Sequence, residues 1–550
     1  MTEIDFILII PELFQLILIN IFLLYALFFS GLGQSNQIIS GSLNSKQQEG
    51  GLSLLHNYTQ NKEAGRRPQQ LIRAAYLATP LQIVEPLSWL IVISLIFSTA
   101  LFLNSPVSSA VLLTSSFICD DFATLFKVVL CLSSAAAIAL AIPAFNSSTI
   151  GARINNYEFL LVIYLAIFGM LCLISSYNFL TFYLSIELQS LSFYLLACSK
   201  SRSEFSAEAG LKYFILGAFS SAILLFGISL IYGSIGSIYF DDVGALLEFS
   251  NYSKSLTNLE TTTAFETGNL WPHIGLAVGL ACICISLLFK LAAVPFHMWA
   301  PDVYEGSPTG ITAFFAITAK IAALAVLARF VIATEQLLIP ALSFVTMASL
   351  VVGTLSAMRQ VKIKRLIAFS GVSNVGWFLM GLCSGRLDAV LLHLIIYITL
   401  SVTLFSIIIQ PIHRLGGSGL ENRTIKHITD LGQIYKTNTM VALALTLTLF
   451  SLGGIPLLAG FYSKYLIINA AIQAEALGLL TIGLLSAVFS AFYYIRVVKT
   501  VYFSELGGDW FSFEAPSTTN AYLIAVSTFF TTLFVVYPES ISIWLINISL

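Results

Sequence analysis

Runs of about 20 apolar residues, separated by short polar stretches, recur along the whole 550-residue chain, and such a run is long enough to cross a bilayer as a helix. The pattern predicts fourteen spans, at 4–30, 84–103, 119–143, 156–175, 179–198, 209–232, 273–299, 309–332, 338–357, 364–383, 388–411, 437–472, 476–503 and 519–547. Spans 7 and 12 are the least regular. Pro295 interrupts the first of these, and Gly453, Gly454 and Pro456 interrupt the second. Proline inside a helix removes a backbone bond and frees a carbonyl one turn back. At membrane depth that is tolerated only where protein or water satisfies the freed group. Both spans are therefore expected to be broken helices beside a hydrated cavity. No small-residue cleavage site follows the first span, which reads as a retained helix and not as a signal peptide.

Two polar stretches stand out. Residues 31–83 are rich in Gly, Ser and Gln and read as a partly ordered insertion. Residues 234–270 are acidic and read as a solvated loop or as a contact with a neighbouring subunit. Counted over alternate loops, eighteen Lys and Arg residues fall on one side and two or three on the other. This positive-inside bias puts both termini on the outer face and calls for an even number of spans.

With 57% hydrophobic and 10% charged residues, the composition is that of an all-α polytopic membrane protein. The net charge of −2 says nothing about partners. Seven cysteines offer no CxxC and no cluster spacing, six histidines offer no facing pair for a haem, and phosphate-binding glycine motifs are missing. The expectation is no cofactor and no metal on this chain, which argues against an autonomous redox enzyme.

Charge inside the spans is the feature that asks for a function. Glu187, Lys212, Lys290, Lys320 and Lys464, with Lys127 as a weaker case, interrupt apolar helices. Each costs roughly 2.5–3.5 kcal/mol in a membrane helix, and such residues usually mark an ion or proton route. Burial of a lysine favours the neutral amine, whereas a nearby carboxylate favours the ammonium. At a separation of about 4 Å and an effective dielectric of about 20, such a pair is worth about 4 kcal/mol. Moving one charge through 100 mV costs about 2.3 kcal/mol. Making or breaking one pair can therefore load or unload a proton. Lys290 precedes the predicted break of span 7 and Lys464 follows that of span 12, a reversal that suggests an inverted repeat. Lys464 and Lys212 also fit side chains that snorkel to an interface. His297 fits a proton relay or a polar helix end. Lys127 reads as structural, and Asp302 and Glu305 as ties to neighbouring helix ends.

These segments carry a family likeness. KLAAVPFHMWAPDVYEGSPTGITAFF (290–315), SIELQSLSFYLLA (185–197), AEAGLKYFILGAFSSAILLFG (207–227), VKIKRLIAFSGVSNVGW (361–377), GGIPLLAGFYSKYLI (453–467) and SAFYYIRVVKTVYF (490–503) closely resemble antiporter-like subunits of respiratory NADH:quinone oxidoreductase, complex I. FYYIR and the span 12 lysine point to the N-type (subunit 2) branch, in its mitochondrial form. The resemblance covers roughly 75–545, apart from the two polar stretches. It implies a fourteen-helix fold with two inverted five-helix repeats. The division would be 1–143 (three spans and insertion 31–83), 144–335 (spans 4–8), 336–505 (spans 9–13) and 506–550 (span 14). It also implies proton translocation coupled to quinone reduction, with Glu187 pairing with Lys290, Lys320 on the central axis, Lys464 in the second half and Lys212 retained. NADH, FMN, iron–sulfur clusters and ubiquinone would belong to other subunits. The partners would be neighbouring membrane-arm subunits and lipid, with no nucleic acid, and the location the mitochondrial inner membrane. Where span 10 of the family often carries a histidine in an SSIxHxGY-like pattern, this chain has Asn374, so a relay there is expected to use water. A sodium-dependent cation/proton antiporter subunit and a purely structural anchor are the competing readings.

Overall fold

The computed structural model describes residues 8–28, 81–104, 109–146, 157–200, 203–245, 270–334, 338–415, 422–432, 434–503, 510–513 and 515–538. The insertion 31–83 lies almost wholly outside them, as do most of the acidic stretch and the end of the last span. Among the described residues, twelve helices are long and apolar enough to cross a membrane. They begin with α1 (Leu8–Phe28), α2 (Leu81–Leu103), α3 (Asp121–Asn146), α4 (Tyr157–Ser175), α5 (Phe179–Ala197) and α6 (Glu204–Ile235). The predicted span 7 divides into α7 (Leu270–Leu291) and α8 (Trp299–Gly306), so it runs to 306 and not to 299, and Asp302 and Glu305 are helical.

The next span is divided as well: α9 (Thr309–Ile317) and α10 (Ala319–Thr334) meet at Thr318, directly before Lys320. The apolar pattern gave no sign of this interruption. α11 (Ile339–Met358), α12 (Ile363–Cys383) and α13 (Leu387–Ile408) follow. A four-residue helix, α14 (Ile434–Thr437), leads into the predicted span 12, which is a pair of 15-residue helices, α15 (Thr439–Gly453) and α16 (Ala459–Gln473). α17 (Leu477–Phe503) is long, and α18 (Thr518–Leu533) is the described part of the last span.

The helices are not alone. β1 (Ser109–Leu112) and β2 (Phe117–Asp120) form an antiparallel hairpin, and β3 (Pro411–Leu415) pairs antiparallel with both β4 (Asn422–Thr424) and β5 (Trp510–Phe513). Strands lie only between spans, where connecting backbone must find partners outside any helix. Contacts between connections sort into two ends of the bundle. At one end Phe117 bridges to Ser176, Asn178 bridges to Tyr239, and Arg329 Nη2 meets Asp120 Oδ1 at 2.6 Å. At the other end Lys362 bridges to His427, and β3 meets β5. Alternate loop counting assigns the members of each set to a common side.

Most of α3, α4, α9, α10, α12 and α13 is buried. By contrast α6 exposes Phe205, Leu211, Phe214, Ile215, Phe219 and Phe226. A helix that is apolar on its exposed face as well belongs in lipid, not water. α6 lies against α7 through glycines: a Cβ on Gly227 would sit 2.8 Å from the Gly279 carbonyl oxygen, and one on Gly279 would sit 2.9 Å from that of Gly227. Missing side chains let the two backbones meet, the usual device of membrane helix pairs.

Lys127 has the structural role the sequence suggests. It is 1% exposed on α3, and its Nζ meets Glu12 Oε1 of α1 at 2.5 Å. Replacing Glu12 with Gln leaves that cation buried without its counter-charge, and is expected to destabilise the docking of α1 by about 3–5 kcal/mol. The apolar double variant Glu12→Leu/Lys127→Met is expected to stay within about 1 kcal/mol of wild type or above it. Thermal denaturation of the purified membrane assembly separates the two outcomes.

Candidate functional site

Both broken spans show how a helix end is satisfied in an apolar interior. The last carbonyls of α7 have no continuing helix to accept from. The Phe289 carbonyl accepts the Ala292 N–H at 3.0 Å and also the indole N–H of Trp299 at 3.0 Å, reached across the break 292–298. That break contains Ala292 at φ +60° and the cis Val294–Pro295 bond. In the second break the corresponding work falls to a lysine. Lys464 reaches back from α16 and donates to the Leu452 carbonyl at 2.7 Å. Gly454 permits this: its left-handed backbone (φ +81°) sits where a Cβ would be 3.3 Å from Cδ of Lys464. Gly460 N–H donates to Ser451 Oγ at 3.0 Å and closes the same turn.

Lys290 lies in the last turn of α7 with its ammonium nitrogen buried and, among the described residues, without a hydrogen-bond partner. It lies 5.7 Å from the Tyr194 ring of α5. Glu187 lies two turns before Tyr194 on α5. Among the described residues, Glu187 Oε1 has no partner, and Oε2 faces Ser190 Oγ at 3.5 Å. The pairing of Glu187 with Lys290 that the resemblance implies is not made as a hydrogen bond between them here.

Lys320 is 4% exposed, in the first turn after the interruption at Thr318. Its Nζ donates to the Gly371 carbonyl of α12 at 3.2 Å and to the Tyr397 hydroxyl of α13 at 3.0 Å. Lys464 is 5% exposed, so it does not snorkel. A cavity of about 10 Å³ lies beside Lys464, lined also by Asn374, His393, Ser451 and Tyr397, the last of which bonds Lys320. That is the room a single water needs.

Lys212 lies apart. It is 42% exposed, and binds Glu208 on its own helix at 2.7 Å and Asp302 of α8 at 2.9 Å. Asp302 also takes Arg365 Nη2 at 3.0 Å, and Glu305 pairs with Arg365 and Lys362. This network ties α6 and α8 to the start of α12, as the sequence suggested for the two acids. His297 is half-buried in the first break, with its ring 6.3 Å from that of Phe369 on α12.

Sequence reasoning passed over Tyr397 and His393. Both lie in the apolar run of α13, one turn apart and so on one face. The criterion that singled out the lysines, a titratable group within a span, applies equally to His393. Among the described residues, no three His, Cys, Asp or Glu side chains gather as a metal site.

Known proteins resemble this chain. The family model described as NADH:quinone oxidoreductase/Mrp antiporter, TM, matches residues 176–490, which hold Glu187 and all four candidate lysines. The chain belongs to this family. Among its relatives, the NADH-ubiquinone oxidoreductase chain 2 of Marchantia polymorpha is 39% identical over 467 residues, covering 83% of this chain and 89% of that one. The NADH-quinone oxidoreductase subunit N 1 of Rhizobium meliloti (strain 1021) is 38% identical, covering 72% and 78%. A chain of respiratory complex I from Thermus thermophilus superposes with a TM-score of 0.67 at 26% identity, covering 84% of this chain and 93% of that one. The resemblance in the sequence thus leads to the right family and to its chain 2/subunit N branch. The fold is antiporter-like, with broken helices where proline and glycine had suggested them.

Removal of one hydroxyl tests the Lys320 environment. Tyr397→Phe leaves the Gly371 carbonyl as the remaining partner of Lys320, and is expected to cost about 1–3 kcal/mol. A lower thermal midpoint of the assembly, with its subunit content unchanged, is the expected result.

Proposed function

We propose that this chain is a proton-translocating membrane subunit of NADH:ubiquinone oxidoreductase, with Glu187, Lys290, Lys320 and Lys464 as its proton-carrying groups. The observation that carries this reading is the placement of the three lysines. Each sits at a broken or interrupted helix, deep in a fold whose apolar residues could have filled the same space, and each has few protein partners. Helices interrupted beside internal charge are how transporters build a midplane site. His297 borders the first break as a candidate relay. Lys212, by its exposure and ion pairs, acts through α8 as a positioning residue, a role the sequence left open between snorkelling and the route.

In this reading Glu187 sets the proton affinity of Lys290. When the carboxylate approaches, the ammonium form is favoured; when it withdraws, the desolvated amine is favoured and the proton leaves. Electron transfer, with NADH, FMN, iron–sulfur clusters and ubiquinone, belongs to other subunits, and neighbouring antiporter-like subunits are the membrane partners. The chain would cross the mitochondrial inner membrane fourteen times with both termini on the intermembrane-space side. Spans 4–8 (144–335) and 9–13 (336–505) would form the two inverted repeats, flanked by 1–143 and 506–550.

A native gel of the source membranes, stained for NADH dehydrogenase activity, places the chain first: it should migrate in the large active band. In that complex Glu187→Gln and Lys290→Ala are each expected to lower proton-coupled quinone reduction by at least about tenfold, with NADH oxidation by ferricyanide unchanged. Full pumping in both variants would leave the chain a structural anchor. Migration in a smaller band without NADH activity would favour a stand-alone antiporter.

A further inference from the structure

The cavity lined by Lys464 and by Tyr397, the partner of Lys320, contains one titratable group with no role so far. His393 is 4% exposed on α13, and its ring lies 5.1 Å from that of Phe378. Ser463 Oγ donates its single hydrogen to the Gly460 carbonyl at 3.0 Å. With that hydrogen so placed, the 2.9 Å contact between Ser463 Oγ and His393 Nδ1 is an N–H donated by the imidazole; with the hydroxyl turned to Nδ1, Nε2 carries the hydrogen instead. In the first arrangement a neutral ring has a bare lone pair at Nε2. Nε2 is buried, and among the described residues no group bonds to it. A core histidine kept for packing would have both nitrogens satisfied.

Two titratable groups share the cavity with it. Lys464 comes from α16, and Tyr397 lies one turn along α13 with its hydroxyl accepting from Lys320. α12 contributes Asn374 and α15 contributes Ser451 and Leu452, none of which titrates. We infer that His393 is the proton relay between Lys320 and Lys464. A proton leaving one ammonium is accepted at Nε2 while Nδ1–H stays on Ser463. The imidazolium then returns a proton from Nε2 through the cavity to the amine at the other end, by way of Tyr397 on the Lys320 side. One proton moves from one lysine to the other, and the imidazole ends as it began. Asn374 faces the same cavity from α12, so the imidazole that this family often carries there is replaced by one from α13. Water alone is then not what bridges the two lysines. This inference rests on the proposed route through Lys320 and Lys464.

The test uses the intact NADH-oxidising complex carrying this chain, reconstituted in liposomes and read by NADH-driven proton uptake across pH. His393→Asn is expected to lower uptake by at least about tenfold and to remove a limb of the pH profile. Asn374→His/His393→Asn, which returns an imidazole to the same cavity, should restore both. His393→Gln, able to hydrogen-bond but not to carry a proton, serves as the single variant where His393→Asn fails to assemble. Uptake unchanged in the single variant while Lys464→Ala abolishes it would overturn the relay and leave the route standing. Equal loss in single and double variants with an unaltered pH profile would reduce His393 to a packing residue. Full uptake in both His393→Asn and Lys464→Ala would remove the route itself.

Discussion

A backbone carbonyl at membrane depth has to find a donor, and the interior of this protein is arranged around the places where helices stop and carbonyls are set free. An unsatisfied carbonyl costs several kcal/mol in hydrocarbon, so every break must bring its own donor. In the first break the Ala292 N–H and the Trp299 indole both serve Phe289, and in the second Lys464 serves Leu452. The two solutions differ in consequence. An indole N–H only closes the helix end, whereas an ammonium closes it and also holds an exchangeable proton. The second break is therefore a structural joint and a candidate proton site at once, while in the first Lys290 remains, among the described residues, without a hydrogen-bond partner.

The surrounding helices make those joints possible. Gly227 and Gly279 let α6 and α7 meet backbone to backbone, which sets α7 against the bundle and aims its end at Tyr194 of α5. Glycine acts again at Gly454, where the left-handed turn and the missing Cβ leave room for the Lys464 stem. At one end of the bundle, Asp302 and Glu305 collect Lys212, Lys362 and Arg365, holding the short α8 to α6 and α12. Partly exposed ion pairs of this kind contribute modestly one by one. Their geometry matters more: they fix the far side of the first break to helices from both halves of the chain.

Buried charge was legible in the sequence because its cost does not depend on the fold. Lys290, Lys320 and Lys464 stood out against their apolar surroundings before any helix was placed, and all three lie inside. Pro295 and Pro456 announced their breaks for a similar reason, since the missing N–H is a property of the residue. The interruption at Thr318 has no such marker: Thr318 returns its hydroxyl to the Phe314 carbonyl at 2.7 Å, a bond that many unbroken helices also contain. Asp302 and Glu305 were recognised as ties, but the helix they belong to was cut short at the end of the apolar run.

The sequence by itself determined the class of protein, its spans, both proline breaks and the charges that need an explanation, because each follows from transfer energies and backbone chemistry local to the residue. Tertiary structure decided which of those charges share a space. It separated Lys212 from the interior, buried Lys464 too deeply to snorkel, left Glu187 and Lys290 without a hydrogen bond to each other, and set His393 and Tyr397 of α13 in one cavity with Lys464. Those relations join residues up to about a hundred positions apart, and depend on how helices lean on one another. No periodicity along a single helix encodes them, so they become visible only when the bundle is assembled.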